Sequence, residues 1–527
     1  MDIWLRRGAI IVLATLVGAW SIASLFFPYG WDQGCFSYVA RVMLHGGEPY
    51  RDALDIKGPL VYYTFELLQW VFGRQMWAVR ALDLVVLACG GIAAFRIVEP
   101  FAGRTAAACT SLMMLIAFAS FGNWYTAQPD GWASNLLVVI VALLVTRAPA
   151  SSGRLAMAAF LVGCCTLLKP TYATYALLVL VAGWPAARSE WARGARSLVP
   201  AGVAFAAPIV LAVGWLAVHG VLASLYDAYI RFTMERRATD PSMHLSLARV
   251  ASLTQGMLTG TPNLAMALPP AALGAAALFK RRPRVAVLLL LWAALGIFSV
   301  AAQGKFAIQN YTWHPFYPPL ILLAGIGLTE LWGNGVSWRN RAPERTLVLL
   351  TALLLFKMTS KEPLAHIARF TRLATGKLTL AEYRREFDVN VPALSGSPAK
   401  DVGFGVERDI ELSDYLDAHT VPSDVVFVWS EPLVNYWSDR DSPTPVSLSM
   451  AFTTWGAPAR RTRYRADLLE KMDSGKVEYF GAPEKDLVAA PDESNIVTRF
   501  PELLSVLESR YDKVTEIGDV ELFKRRH

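Results

Sequence analysis

Apolar, almost uncharged stretches recur along the first two thirds of the chain, near 8–27, 76–95, 105–121, 131–146, 155–168, 170–187, 198–217, 262–279, 285–301, 318–332 and 346–359. Each runs for roughly 15 to 20 residues, which is what an α-helix needs to cross a hydrocarbon core about 30 Å thick. The first follows Arg6 and Arg7, as the apolar part of a signal peptide would. At about 20 residues it exceeds the usual length of that region and reads as a first membrane helix. A single helix over 155–187 would be about 50 Å long, so the sequence Leu168-Lys169-Pro170-Thr171 marks a break into two shorter helices. After 359 the pattern becomes polar. A strand is expected at Asp424–Trp429, amphipathic stretches around Leu468 and Leu503, and a last strand at Val520–Phe523. The expected architecture is a mostly α polytopic membrane protein of about eleven transmembrane helices over 1–359, a partly helical linker over 360–400, and an α/β domain over 401–527.

Composition sharpens this reading. Only 18% of residues are charged, against about 25% in soluble chains, and the mean hydropathy is +0.36, which excludes an ordinary cytosolic enzyme. The net charge of +7 lies largely in short basic clusters between apolar runs, such as Arg96/Arg104, Lys280/Arg281/Arg282/Arg284 and Arg339/Arg341/Arg345. With the break at Lys169 counted as a turn, these clusters and Arg6/Arg7 all fall on one side. That side is cytoplasmic by the positive-inside rule, so the charge sets topology and needs no nucleic-acid partner. Eleven crossings then place the N-terminus inside, and the loops 28–75, 218–261 and 302–317 with the C-terminal domain outside. The only cysteine in a long polar loop is Cys35, and residues 360–527 contain none, so the C-terminal domain has no disulfide framework.

Chemistry concentrates in the first outer loop: Trp31-Asp32-Gln33-Gly34, Gly46-Gly47-Glu48-Pro49-Tyr50-Arg51-Asp52 and Asp55-Ile56-Lys57-Gly58-Pro59-Leu60-Val61-Tyr62-Tyr63. Helical spacing from Gln33 to Leu44 and from Val61 to Phe72 predicts interfacial helices flanking these motifs. Asp32 then stands at a helix start beside the bilayer, where an N-cap role competes with a chemical one. Asp52 and Asp55 read as loop and turn residues. Lys57 either snorkels at the interface or meets a lipid phosphate. Arg80 and Asp83, three residues apart, read as a structural ion pair.

The succession of N-terminal membrane helix, aspartate loop, GGEPYRD, KGPLVYY and an Arg-Ala-Leu helix resembles the GT-C glycosyltransferases of the protein O-mannosyltransferase and aminoarabinose-transferase type. Ala127-Gln128-Pro129-Asp130, Leu168-Lys169-Pro170 and Gly304-Lys305 followed by Tyr311, His314 and Pro318-Pro319 extend the resemblance over about residues 1–335. It implies transfer of a sugar from a polyprenyl-phosphate carrier to an acceptor at the outer face of a bacterial inner membrane. By that resemblance Asp32 lies near the acceptor nucleophile, Asp130 is the acid at the start of the fourth span, and Lys57 meets the donor phosphate. Lys169, Arg231, Arg236, Arg237 and Lys305 are further cations on the donor side, and Tyr62, Tyr311 and His314 are substrate contacts. Gln33 follows Asp32 where the mannosyltransferases carry a second acid. No cofactor is required, although a divalent cation between Asp32 and Asp130 would suit two carboxylates.

A transporter or lipid flippase would place its charges near the bilayer midplane and often shows inverted repeats. Here the polar candidates gather at one edge and no repeat is visible. A non-catalytic envelope-assembly protein would leave Asp32, Lys57 and Asp130 without a purpose. The expected partners are a polyprenyl-phosphate sugar, the bilayer, and a lipid, glycan or protein acceptor. The sequence specifies neither the sugar nor the acceptor.

Overall fold

The computed structural model describes residues 2–146, 150–184, 191–239, 246–259, 264–302, 310–333, 342–388, 390–391, 402–403, 405–429, 431–489 and 494–526. In chain order the first fifteen helices are α1 Asp2–Ser24, α2 Trp31–Leu44, α3 Pro59–Phe72, α4 Met76–Ala119, α5 Pro129–Val145, α6 Ser152–Leu168, α7 Ala176–Gly183, α8 Trp191–Val218, α9 Leu222–Leu225, α10 Phe232–Thr239, α11 Leu247–Thr259, α12 Leu268–Arg281, α13 Pro283–Ala301, α14 Tyr317–Trp332 and α15 Ala342–Ala374. They divide between two compact units, each discontinuous in sequence. A helical unit comprises Met1–Phe27, Val79–Ala212 and Leu245–Ala374; a mixed unit comprises Pro28–Ala78, Val213–His244 and Thr375–His527.

In the helical unit the apolar runs become helices. Among the described residues, four helical segments are long and apolar enough to cross a membrane by themselves: Arg7–Ser24, Met76–Ala119, Gly194–Val218 and Pro283–Ala301. At 44 residues α4 would extend about 66 Å, roughly twice the hydrocarbon thickness. It is broken at Gly103, whose φ of +77° is open to glycine and strained for other residues, just after Pro100. The expected break near Pro170 is present: Lys169 is extended, and the chain continues as a tight 3-10 turn over Pro170–Tyr175 before α7.

Glycine sets how closely these helices approach. A Cβ on Gly274 of α12 would lie 2.0 Å from the Leu323 carbonyl oxygen, and one on Gly327 of α14 would lie 1.8 Å from that of Pro270. The two backbones therefore touch without intervening side chains, the small-residue mode by which helices pack in apolar surroundings. Leu13 and Leu16 of α1 and Ile116 of α4 form a core on which Phe356 and Ile367 of α15 pack.

The mixed unit is built around a four-stranded sheet ordered β3-β4-β6-β5, from β3 Val425–Val428, β4 Val477–Pro483, β5 Tyr511–Ile517 and β6 Val520–Arg525; β1 Asn390–Val391 and β2 Val402–Gly403 form a separate antiparallel pair. Only β3 and β4 run parallel, and β5 and β6 are joined by a tight turn through Gly518. Val426, Val428, Tyr479 and Leu522 of the sheet meet Leu412 and Leu416 of the helix Val406–His419. The first-loop helices belong to this unit. Arg41 of α2 reaches Asp439 at 2.6 Å and Asp441 at 2.9 Å, and Arg74 reaches Asp439 at 2.6 Å. The segment 213–244 is tied in the same way, because Arg460 bridges Asp227 at 2.5 Å and Glu235 at 2.8 Å.

Replacing Gly327 with alanine forces a backbone approach that has no room for a methyl group. We expect Gly327→Ala to destabilise the protein by about 1–3 kcal/mol, read as a lower melting temperature in detergent. Alanine at Gly202, which has open space around it, should change little.

Candidate active site

The first loop folds back on itself so that Lys57 is held by its own main chain. The Tyr50 hydroxyl donates to the Lys57 carbonyl at 2.8 Å, and the Lys57 N–H donates to the Tyr62 hydroxyl at 2.9 Å. Tyr50 achieves this with a φ of +67°, a strained value for a non-glycine residue. The two rings meet edge to face at 5.5 Å. So fixed, the Lys57 ammonium lies 3.7 Å from the Asp32 carboxylate, both groups being about 15% exposed, and 5.7 Å from the centre of the Phe36 ring.

Asp32 is the second residue of α2, not its cap. The cap is Gly30, whose N–H is taken by the Gln33 side chain at 2.9 Å. The helix start is thus served by Gln33, the residue that replaces the second acid of the mannosyltransferase pattern. Tyr62 is fully buried and bound to the Lys57 main chain.

Asp55 is a loop residue, as expected, with its side chain buried in this cluster. Its Oδ1 accepts the Ile56 N–H at 2.7 Å. Burial pushes its carboxyl above the ordinary range; Lys57 pulls in the opposite sense, and the Asp32 charge adds to the rise.

A second polar group lies in the helical unit. Asp130, in the first turn of α5, is 1% exposed. Both its oxygens lie 3.0 Å from the Lys169 ammonium, and the Tyr172 hydroxyl donates to Oδ1 at 2.5 Å. Two residues assigned separate roles from sequence are therefore each other's partner: a buried carboxylate closed by an ammonium and a phenol. The approach to α5 is fixed by Arg80, which donates to the Thr126 carbonyl at 3.1 Å and hydroxyl at 2.6 Å, and by Asp83, which accepts the Ala127 N–H. Ala127 has a φ of +52°. Arg80 and Asp83, expected to pair along their helix, both turn to this loop.

Of the remaining candidates, His314 packs on the first turns of α5 beside Asp130: its carbonyl accepts the Ser134 hydroxyl at 2.8 Å and its ring lies against Gly131. His314 is buried, edge-on to Phe121 at 4.1 Å and against Phe118 at 4.9 Å. Arg231 is exposed and pairs with Asp227 at 3.6 Å and Glu235 at 3.1 Å. Arg236 and Arg237 lie on α10 and Tyr311 lies in the 3-10 turn Asn310–Phe316, but their side chains are outside the described residues. Lys305 also lies outside them. No group of three or more His, Cys, Asp or Glu side chains among the described residues is arranged to hold a metal ion.

The fold can be compared with solved structures. ArnT from Cupriavidus metallidurans bound to undecaprenyl phosphate superimposes with a TM-score of 0.61 over 98% of each chain at 13% identity. The chain has the GT-C fold. The apo form of the same protein gives a TM-score of 0.58 at 14% identity, again over 98% of both chains. The archaeal oligosaccharyltransferase AglB from Archaeoglobus fulgidus, in complex with an inhibitory peptide and a dolichol-phosphate, gives 0.50 at 12% identity, over the whole of this chain and 75% of that one. Residues 3–154 match the family described as competence-induced protein Ccs4 N-terminal domain. Comparison with curated protein sequences gave no match. The long apolar helices of the chain are in keeping with this fold.

The raised carboxyl of Asp55 has a consequence for stability. A group that holds its proton more tightly when folded makes the folded state lose stability as pH rises through the ordinary carboxylate range toward the higher folded value. Asp55→Asn, which keeps the shape without the charge, should raise stability at neutral pH. The gain should vanish in acid. Melting temperatures of variant and parent across pH 3–8 would check both statements.

Proposed function

We propose that the protein is a GT-C-type membrane glycosyltransferase that moves a sugar from a polyprenyl-phosphate carrier to an acceptor at the outer face of the cytoplasmic membrane. The observation that carries the proposal is the Asp32–Lys57 pair, a carboxylate and an ammonium held 3.7 Å apart in the first loop of a chain with this fold. The proposed topology has eleven crossings, the N-terminus inside and the C-terminal region outside, as the basic clusters indicate.

Transfer requires an acceptor hydroxyl to attack the anomeric carbon while its bond to the phosphate oxygen breaks. The acceptor's proton passes to Asp32, the bonding pair of the broken bond leaves with the phosphate, and the Lys57 ammonium stabilises the charge that develops there. At 3.7 Å the resting ion pair is longer than a charge-assisted hydrogen bond of about 2.7–2.9 Å. An arriving phosphate can therefore take Lys57 and leave Asp32 as a base. Because Asp130 and Lys169 are committed to each other, Asp130 serves as the buried anchor of α5, and the phosphate contact falls to Lys57. The sugar and the acceptor, whether lipid, glycan or protein, are set by residues beyond this pair.

Asp32→Asn removes the base and leaves the Gly30–Gln33 cap in place. It should bind carrier phosphate normally and transfer sugar at least about a hundredfold more slowly. Lys57→Ala should weaken carrier binding more than acceptor binding. Purified variants in one detergent, assayed for carrier binding and sugar transfer, separate the two roles. Near-normal transfer by Asp32→Asn would remove its assignment as base.

A further inference from the structure

Within the mixed unit, α2 rests on the short helix Pro432–Ser438 and the residues that follow it. Gly34, Tyr38 and Arg41 lie along one face of α2 at helical spacing. A Cβ on Gly34 would lie 3.2 Å from that of Leu433, the Tyr38 hydroxyl accepts the Ser442 N–H at 3.1 Å, and Arg41 reaches Asp439 and Asp441. Asp32 precedes Gly34 on the same helix. Whatever seats Pro432–Ser438 therefore also sets the position of Asp32.

Glu431, the residue before that short helix, belongs to a buried cluster that the transfer chemistry does not use. One Arg408 nitrogen donates to Glu431 at 2.6 Å and to Asp409 Oδ1 at 2.8 Å, and the other terminal nitrogen donates to Asp519 at 2.6 Å. Asp519, in the turn between β5 and β6, is 46% exposed, whereas Asp409 and Glu431 are 0% and 4% exposed. The two buried carboxyls are within hydrogen-bonding reach of each other. Asp409 Oδ2 and Glu431 Oε2 are buried and meet no donor among the described residues. Two carboxylates so placed on one guanidinium repel each other, and a single proton removes one charge and supplies the missing donor. Burial pushes both carboxyls above the ordinary range; the Asp409 charge adds to the rise at Glu431, and Arg408 pulls both down. Around them stand Glu407, which pairs with Arg384 at 3.3 Å, Asp388, whose carboxyl burial pushes up to about 6, and the Cys35 thiol of α2, which feels the charges of both Glu431 and Asp32.

We infer that Asp409 and Glu431 share one proton, that this proton keeps the helix Pro432–Ser438 seated against α2, and that its loss releases α2 and so misplaces Asp32. The effect on sugar transfer rests on the transferase reading proposed above; the latch itself does not. A carboxyl that keeps its proton in the folded state loses stability as pH rises through the ordinary range toward the folded value. The latch is therefore closed at lower pH and opens as pH rises. Asp409 and Glu431 are positioning residues that regulate the site from behind.

Hydrogen exchange of the full chain in detergent, read by mass spectrometry over about pH 6–10 and corrected for the intrinsic pH dependence of amide exchange, tests this. In the parent, protection of 31–44 and 432–438 should fall together as pH rises, by at most about tenfold per pH unit, the limit for one proton. Glu431→Gln gives Asp409 an N–H donor and removes the second charge, so its protection should stay within about twofold over the same range. Asp409→Asn neutralises the other partner and should behave alike, so either variant suffices if the other fails to fold. The alkaline limb of sugar transfer should move to higher pH in both variants. Protection in the parent that is constant with pH, protection that falls equally in parent and variants, or an alkaline limb that does not move would overturn the inference. Exchange that behaves as expected in a parent that transfers no sugar would instead count against the transferase reading alone.

Discussion

The candidate site depends on how Lys57 is held. A lysine side chain loses much rotamer freedom when it is fixed, and an ammonium close to lipid is poorly solvated. The first loop meets both costs locally, with Tyr50 and Tyr62 gripping the main chain on either side of the residue and Asp32 compensating the charge. Backbone strain at Tyr50 is part of the arrangement, and such strain persists only where surrounding packing over-determines it. Here that packing includes the ring of Tyr62 and, beyond it, the contacts of Arg41 and Arg74 with Asp439 that tie the loop helices into the mixed unit.

The helical unit uses a comparable device at Asp130. A buried carboxylate is costly unless paired and hydrogen-bonded, and Lys169 with Tyr172 supplies both. Arg80 and Asp83 hold the strained turn at Ala127 that delivers the chain to α5. These two pairs thus fix loops. Helix against helix, the closest approach on α12 and α14 rests on glycine, as expected where water offers no hydrophobic drive.

Much of this was legible in the sequence. The apolar runs correspond to helices, Pro170 marks a break, and the strand expected at Asp424–Trp429 is β3. The GT-C resemblance, carried by short motifs around Asp32, Lys57 and Asp130, agrees with the fold. What periodicity could not express is pairing across sequence distance. Arg41 with Asp439 spans 398 positions and Arg460 with Asp227 spans 233, so the grouping of the first loop and 213–244 with the C-terminal region was invisible. The same limit hid the partnership of Asp130 with Lys169. Asp55 lies in the expected loop, but a loop aspartate looks alike in sequence whether its carboxylate faces water or a tyrosine. A helix-cap role for Asp32 failed because Gln33, one residue on, does that work.

In the proposed reaction Lys57 exchanges Asp32 for the phosphate of a polyprenyl carrier. A structure of the full chain with undecaprenyl phosphate bound would test it directly. The expected result is a phosphate oxygen within hydrogen-bonding distance of Lys57 Nζ, an Asp32 carboxylate released toward the acceptor side, and an Asp130–Lys169 pair that stays closed. A phosphate bound away from Lys57, with the Lys57–Asp32 contact intact, would contradict it.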